Sequence, residues 1–164
     1  MKMRIAAEGG IRLLLDLLRE GIPNNPELVS TVCSALANLS YSEENNIMII
    51  KAKGISTILT ALKAFSSNSN VLEKILRFLY KVIQFKAAAD SLKNLDKSEI
   101  LLSTMKVNMT QNLPQSQRVI ELAALCITAC FKQQDNFKKQ LKLARKKFAD
   151  SKILAYVHAN CGTP

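Results

Sequence analysis

The sequence has no tryptophan, a single histidine and only 5% aromatic residues across 164 positions. A β-sandwich fills its interior largely with aromatic and β-branched side chains, so this shortage argues against one. Glycine and proline are scarce as well, five and four. Most of them fall between apolar runs, where breaks between helices belong. No apolar run is long enough to cross a bilayer. The opening MKMRIAAEGG lacks the apolar core of a secretory signal. The expected location is the cytoplasm and/or the nucleus. The glycine-rich nucleotide motifs and the G-x-S-x-G nucleophile motif are missing, and no two carboxylates make an acid/base pair. The expectation is a protein that is not an enzyme and uses no cofactor.

What is present is apolar residue in quantity, 48%, enough for a packed core, and it recurs. Ile11, Leu14, Leu15 and Leu18 follow the i, i+3, i+4, i+7 spacing of one helical stripe. Gly21 fits a left-handed residue closing that helix. Pro26 suits the first turn of the next helix, where its missing N–H is no loss. That helix carries Leu28, Val32, Ala35, Leu36 and Leu39. A short helix over 44–53 follows, with Ile47, Ile49 and Ile50, broken by Gly54. Ile55, Ile58, Leu59 and Leu62 then repeat the first stripe 44 positions on. The turn SSNSN offers an N-cap. Val71, Ile75, Phe78, Leu79 and Val82 repeat the second stripe at a shift of 43. Such self-similarity is the signature of stacked helical units.

A looser third copy has a short helix over 86–94. Ile100, Leu101, Leu102 and Met105 form its middle stripe, with Lys97 at the glycine position. A long turn, MTQNLPQSQ, precedes Val119, Leu122, Ala123, Cys126 and Cys130. A partial fourth copy carries Phe137, Leu141, Ala144 and Phe148 on one helical face.

Short helix, glycine, middle helix, turn and long helix, at a period near 43, resemble the armadillo repeat. The nearest residues are Ala52-Lys53-Gly54-Ile55 and Ala35-Leu36-Ala37-Asn38-Leu39. The resemblance implies an all-α, right-handed α-solenoid, an armadillo-like superhelix of about three to four repeats in a single domain over 1–164. The repeats fall approximately at 1–42, 43–85, 86–133 and, in part, 134–164. The chain starts inside a helix with no N-cap ahead of it, as expected of a fragment of a longer armadillo-repeat protein. Uncapped terminal repeats would also leave apolar faces suited to self-association.

In peptide-binding armadillo proteins, a tryptophan and an asparagine one turn apart on each third helix line a concave groove. Carried over residue by residue, Asn38 matches the asparagine position and Ser34 stands at the tryptophan position. The second copy has Arg77 and Lys81, and the third falls near Ala124 and Thr128. Without the tryptophans, and with Arg77 and Lys81 in the groove, a basic peptide is disfavoured. An acidic or phosphorylated segment fits better. The resemblance therefore implies a protein-interaction scaffold with Ser34, Asn38, Arg77, Lys81 and Thr128 at the partner. The alternative is that Arg77 and Lys81 are only solvated helix-surface charges.

The net charge of +10 is lopsided. Residues 1–66 hold seven basic and six acidic side chains, residues 67–164 sixteen and seven. Eight basic and two acidic residues lie within 132–152 alone. Lys138, Lys139, Lys142, Arg145 and Lys146 could there hold nucleic-acid phosphate or anionic lipid. The competing reading is a repeat helix with its charges in water. Cys126, Cys130, His158 and Cys161 could supply four zinc ligands, but their spacing is not that of a usual zinc motif. Buried cysteine is the simpler expectation, and no metal site is assigned.

Overall fold

The structure is a computed structural model. It describes residues 9–92, 95–111 and 114–132, with backbone alone for 95–98, 111, 114 and 130–132. The expected helix over 1–8, the partial fourth copy and the basic run beyond Lys132 lie outside the described residues.

Every regular element among the described residues is an α-helix. In chain order they are α1 (Gly10–Gly21), α2 (Pro26–Leu39), α3 (Glu43–Lys51), α4 (Gly54–Ala64), α5 (Ser69–Val82), α6 (Lys86–Ser91), α7 (Leu95–Gln111) and α8 (Pro114–Lys132). The order of short, middle and long helix recurs as α3–α4–α5 and α6–α7–α8, with α1–α2 matching the last two members. Long helices pack on long helices: α2 lies extensively against α5, and α5 against α8. α2 and α8 share no comparable interface. The middle helices α1, α4 and α7 touch in the same order, and the short helices α3 and α6 touch each other. None of the helices among the described residues is long and apolar enough to cross a membrane.

The expected stripes form the core. Ile11, Leu15 and Leu18 of α1, and Ile55, Ile58, Leu59 and Leu62 of α4, are buried. So are Val71, Ile75, Phe78, Leu79 and Val82 of α5. The long helices bury more than one stripe. Val29 and Cys33 on α2, and Leu72 and Leu76 on α5, are also fully buried, because each long helix meets its own middle helix and a neighbouring long helix. Burying one such side chain contributes roughly 1.5–3 kcal/mol, so these inter-helix faces dominate the fold's stability.

The caps follow the sequence closely. Asn25 Oδ1 accepts from the Leu28 N–H at 3.0 Å, with Pro26 opening α2. Asn68 Oδ1 accepts from the Val71 N–H at 3.3 Å. Ser42 Oγ accepts from the Asn45 N–H at 3.2 Å, so α3 begins at Glu43 and ends at Lys51, two residues short of the expected Lys53.

Several expectations are corrected. Gly21 is not left-handed. The helix runs through it to Ile22, whose N–H donates to the Leu18 carbonyl. Gly21 packs closely on α2, where a Cβ would sit 3.1 Å from the side-chain atom Val29 Cγ2. The left-handed residues are instead Gly9 (φ 82) and Lys53 (φ 59), each one position ahead of the glycine that opens its helix. Ile47 is 42% exposed; α3 buries Ile49 as expected, together with two polar residues, Asn45 and Asn46. Their amides donate back to the end of α2, Asn45 to the Leu39 carbonyl at 2.7 Å and Asn46 to the Ser40 and Ser42 carbonyls at 2.9 and 2.7 Å. This clasp satisfies carbonyls that a helix end leaves without partners. The expected long turn over 109–117 is mostly helix: α7 continues to Gln111, and Pro114 opens α8. Lys97 lies inside α7 and breaks nothing.

Gly54 is held more tightly than Gly21. A Cβ there would lie 2.6 Å from Ile49 Cγ2 and 2.7 Å from the Ile49 carbonyl oxygen, and backbone cannot swing aside as a side chain can. Gly54→Ala is expected to lower the unfolding free energy by about 1–3 kcal/mol. Gly21→Ala meets only side-chain atoms and regains up to about 1 kcal/mol of helix propensity, so it should be near neutral. Paired denaturant titrations of the two variants check this; equal losses would contradict it.

Candidate functional site

α5 has neighbours on most of its circumference. Its core residues leave one strip open: Asn70, Lys74, Arg77, Lys81 and Gln84, at i, i+4, i+7, i+11 and i+14. This is the spacing of a single helical face, and every residue on it is polar. The strip on α2 is Glu27, Thr31, Ser34 and Asn38, which stand 43 positions before Asn70, Lys74, Arg77 and Lys81. The strip on α8 is Arg118, Glu121 and Leu125, which stand 44 positions after Lys74, Arg77 and Lys81. The three strips belong to consecutive packed helices.

Four of the five residues expected at a partner fall on these strips, and one does not. Asn38 is exposed. Ser34 is half-buried, and its hydroxyl donates to the Ser30 carbonyl at 2.8 Å, so it serves its own helix first. Arg77 is exposed and pairs with Glu73, Nη2 to Oε1 at 2.9 Å. Lys81 is half-buried with its Nζ 4.6 Å from the centre of the Tyr41 ring. Thr128 is buried and donates to the Ala124 carbonyl at 2.8 Å; Ala124 is buried too. The register expected for the third long helix is thus three residues off. Glu121 and Leu125 stand where Ala124 and Thr128 were expected. The cause is LAALCITAC, apolar nearly all round, which offers no polar face to fix the register by pattern alone.

The charge is concentrated at the centre of the surface. Lys74, Arg77 and Lys81 share α5 with one carboxylate, Glu73, which takes the Arg77 bond and lies 4.0 Å from Lys74 Nζ. On the α8 strip the balance is even, since Arg118 Nη1 donates to Glu121 Oε2 at 3.2 Å. The intrahelical pairs are exposed and individually weak. They orient the guanidinium groups without removing the excess of positive charge on α5. Leu125, 39% exposed, gives the surface an apolar edge.

Sequence reasoning passed over Tyr41. It sits in the turn between α2 and α3, 64% exposed, and reaches the cation of the next long helix. The available signal was an aromatic residue in a polar turn of a chain that has few.

A separate cleft of about 980 Å³ opens beside α1 and the start of α4, with Arg12, Lys51 and Lys53 on its rim. Its Arg19 is spent on structure, donating to Asp16 and to the Ala52 carbonyl. Among the described residues no histidine, cysteine or carboxylate cluster could hold a metal ion. Of the four residues weighed for zinc, Cys126 is buried with its thiol 3.7 Å from the Leu76 carbonyl. The Cys130 side chain, His158 and Cys161 are outside the described residues, as are Lys138, Lys139, Lys142, Arg145 and Lys146.

No family model matches the chain, and none of the curated proteins matches it in sequence.

Burial pushes the Cys33 thiol from 9.0 up to about 12. A buried neutral thiol is neither nucleophile nor redox sensor. Cys33 should therefore fail to react with an aromatic disulfide reagent at pH 8 while the chain is folded, and react at once in denaturant. Reaction at the free-thiol rate in buffer would contradict the packing of α2.

Proposed function

We propose that the chain is a non-catalytic interaction scaffold, an armadillo-like right-handed α-solenoid that holds an acidic segment of a partner protein along its long helices. The observation that carries the reading is the strip Lys74–Arg77–Lys81, three cations against one carboxylate on the middle one of three packed long helices. The recurrence of short, middle and long helices supports the architecture. So does the order in which like helices touch. An extended acidic or phosphorylated segment crossing the strips would meet Asn38 on α2, the cations on α5 and Arg118 on α8. Charge complementarity of this kind sets register and association rate more than raw affinity.

A polyglutamate peptide tests the reading directly. Replacing both Arg77 and Lys81 by alanine removes two surface charge contacts worth about 0.2–1 kcal/mol each, so affinity should fall about 2- to 30-fold. The dependence of binding on salt should flatten as well. Unchanged affinity and salt slope would remove the strip from the interface. The eight basic residues within 132–152 favour a second reading, sequence-tolerant binding of nucleic-acid phosphate or anionic lipid. An oligonucleotide that binds equally well to the alanine double variant would favour that reading.

A further inference from the structure

We propose that Tyr41 is a phosphorylation site whose phosphate neutralises the α5 cations and closes the surface to acidic partners; this rests on the interaction reading above and adds its regulation. Three observations carry it. Tyr41 is 64% exposed in the turn between α2 and α3, open to an approaching enzyme. Its ring already holds Lys81, with Nζ 4.6 Å from the ring centre, so a group added to the phenol oxygen arrives beside that ammonium. Lys81 in turn stands one helical turn from Arg77 and two from Lys74, about 6 and 10 Å along the axis. Both distances are comparable to the Debye length of about 8–10 Å, so the charge is felt along the strip.

The charges balance. Lys74, Arg77 and Lys81 against Glu73 leave an excess of two positive charges on the strip. A phosphotyrosine carries about −1.5 to −2 at pH 7 and offers three strong acceptor oxygens. Glu43 and Glu44, in the first turn of α3, follow Tyr41 by two and three residues and would disfavour a phosphate turned toward that helix. In the transfer, a tyrosine kinase moves the terminal phosphoryl group of a nucleoside triphosphate to Tyr41 Oη. The Oη–P bond forms as the bond to the departing nucleoside diphosphate breaks, and the phenolic proton passes through the kinase's base to water. The ammonium then exchanges a ring face for a phosphate oxygen. This is a charge-assisted contact of a much stronger class.

The test uses the full chain, a broad-specificity tyrosine kinase with ATP, and the Tyr41→Phe variant as control. Phosphate is located by mass spectrometry. Two properties are then compared before and after modification: affinity for polyglutamate, and the rate at which an amine-reactive ester acylates Lys81, with Lys63 on α4 as internal reference. The expected result is phosphate on Tyr41, a loss of polyglutamate affinity of about tenfold or more, and slower acylation of Lys81 with Lys63 unchanged. Folded chain that takes no phosphate at Tyr41 would overturn the proposal. So would phosphorylated chain with Lys81 reactivity and peptide affinity unaltered. If unmodified chain fails to bind polyglutamate, the interaction reading is what fails. Lys81 protection then decides alone whether the phosphate pairs with the strip.

Discussion

Side-by-side packing of the long helices is the contact on which the rest of this structure depends. α5 is buried against α2, α4 and α8, and Val71, Leu72, Ile75, Leu76, Phe78, Leu79 and Val82 are withdrawn from water to within a few per cent. A helix so surrounded keeps only a narrow open face. The chain fills that face with asparagine, lysine, arginine, lysine and glutamine. The proposed binding surface is thus a product of the packing. The same side-by-side arrangement sets the strips of α2 and α8 in line with it. Because each long helix meets only its neighbours, a loss at one interface should be felt mainly by the two helices that share it.

Buried polar groups join successive helices at two levels. Asn45 and Asn46 at the start of α3 clasp the carbonyls that end α2, within reach of the turn that carries Tyr41. Farther along, Ser69 at the start of α5 donates to Asn108 Oδ1 on α7 at 2.9 Å and lies 3.4 Å from the Ser116 hydroxyl on α8. Asn108 also donates to the Thr104 and Ser66 carbonyls. Apolar stripes tolerate sliding by a turn, whereas a buried amide is costly unless its particular partners are present. The amides and hydroxyls therefore fix which turn meets which, and with that the alignment of the exposed strips. Asn46 Oδ1 lacks a partner among the described residues, so that residue contributes through its N–H groups alone.

Much of this was legible beforehand, for a physical reason. The stripes of α1, α4 and α5 recur at 43–44 positions because each faces one continuous core, and burial preserves apolar spacing. The turn SSNSN was readable as the source of a cap, which Asn68 supplies, because helix starts demand a side-chain acceptor. What escaped reading depended on distance rather than pattern. Gly21 and Gly54 look alike in sequence, yet one yields space to a side chain and the other to a carbonyl. The third long helix is apolar on nearly every side, so its register came from Pro114, Arg118 and Glu121 only once the neighbours were in place. Asn45 and Asn46 drew no expectation because their partners lie on the preceding helix and turn. Ser34, Asn38, Arg77 and Lys81 were named from the resemblance, and they share the open strips because the long helices recur with one period. Tyr41 was not, because it lies in a turn that no stripe describes.

Distances between spin labels test the arrangement most directly. Single labels at Asn38, Lys81 and Leu125, with Cys130 and Cys161 replaced by serine, mark the three strips at matching positions. Packed helices lie about 8–10 Å apart. The account predicts similar separations for the 38–81 and 81–125 pairs and about twice that value for 38–125. A 38–125 separation no longer than the other two would mean that the long helices close into a bundle, and would contradict it.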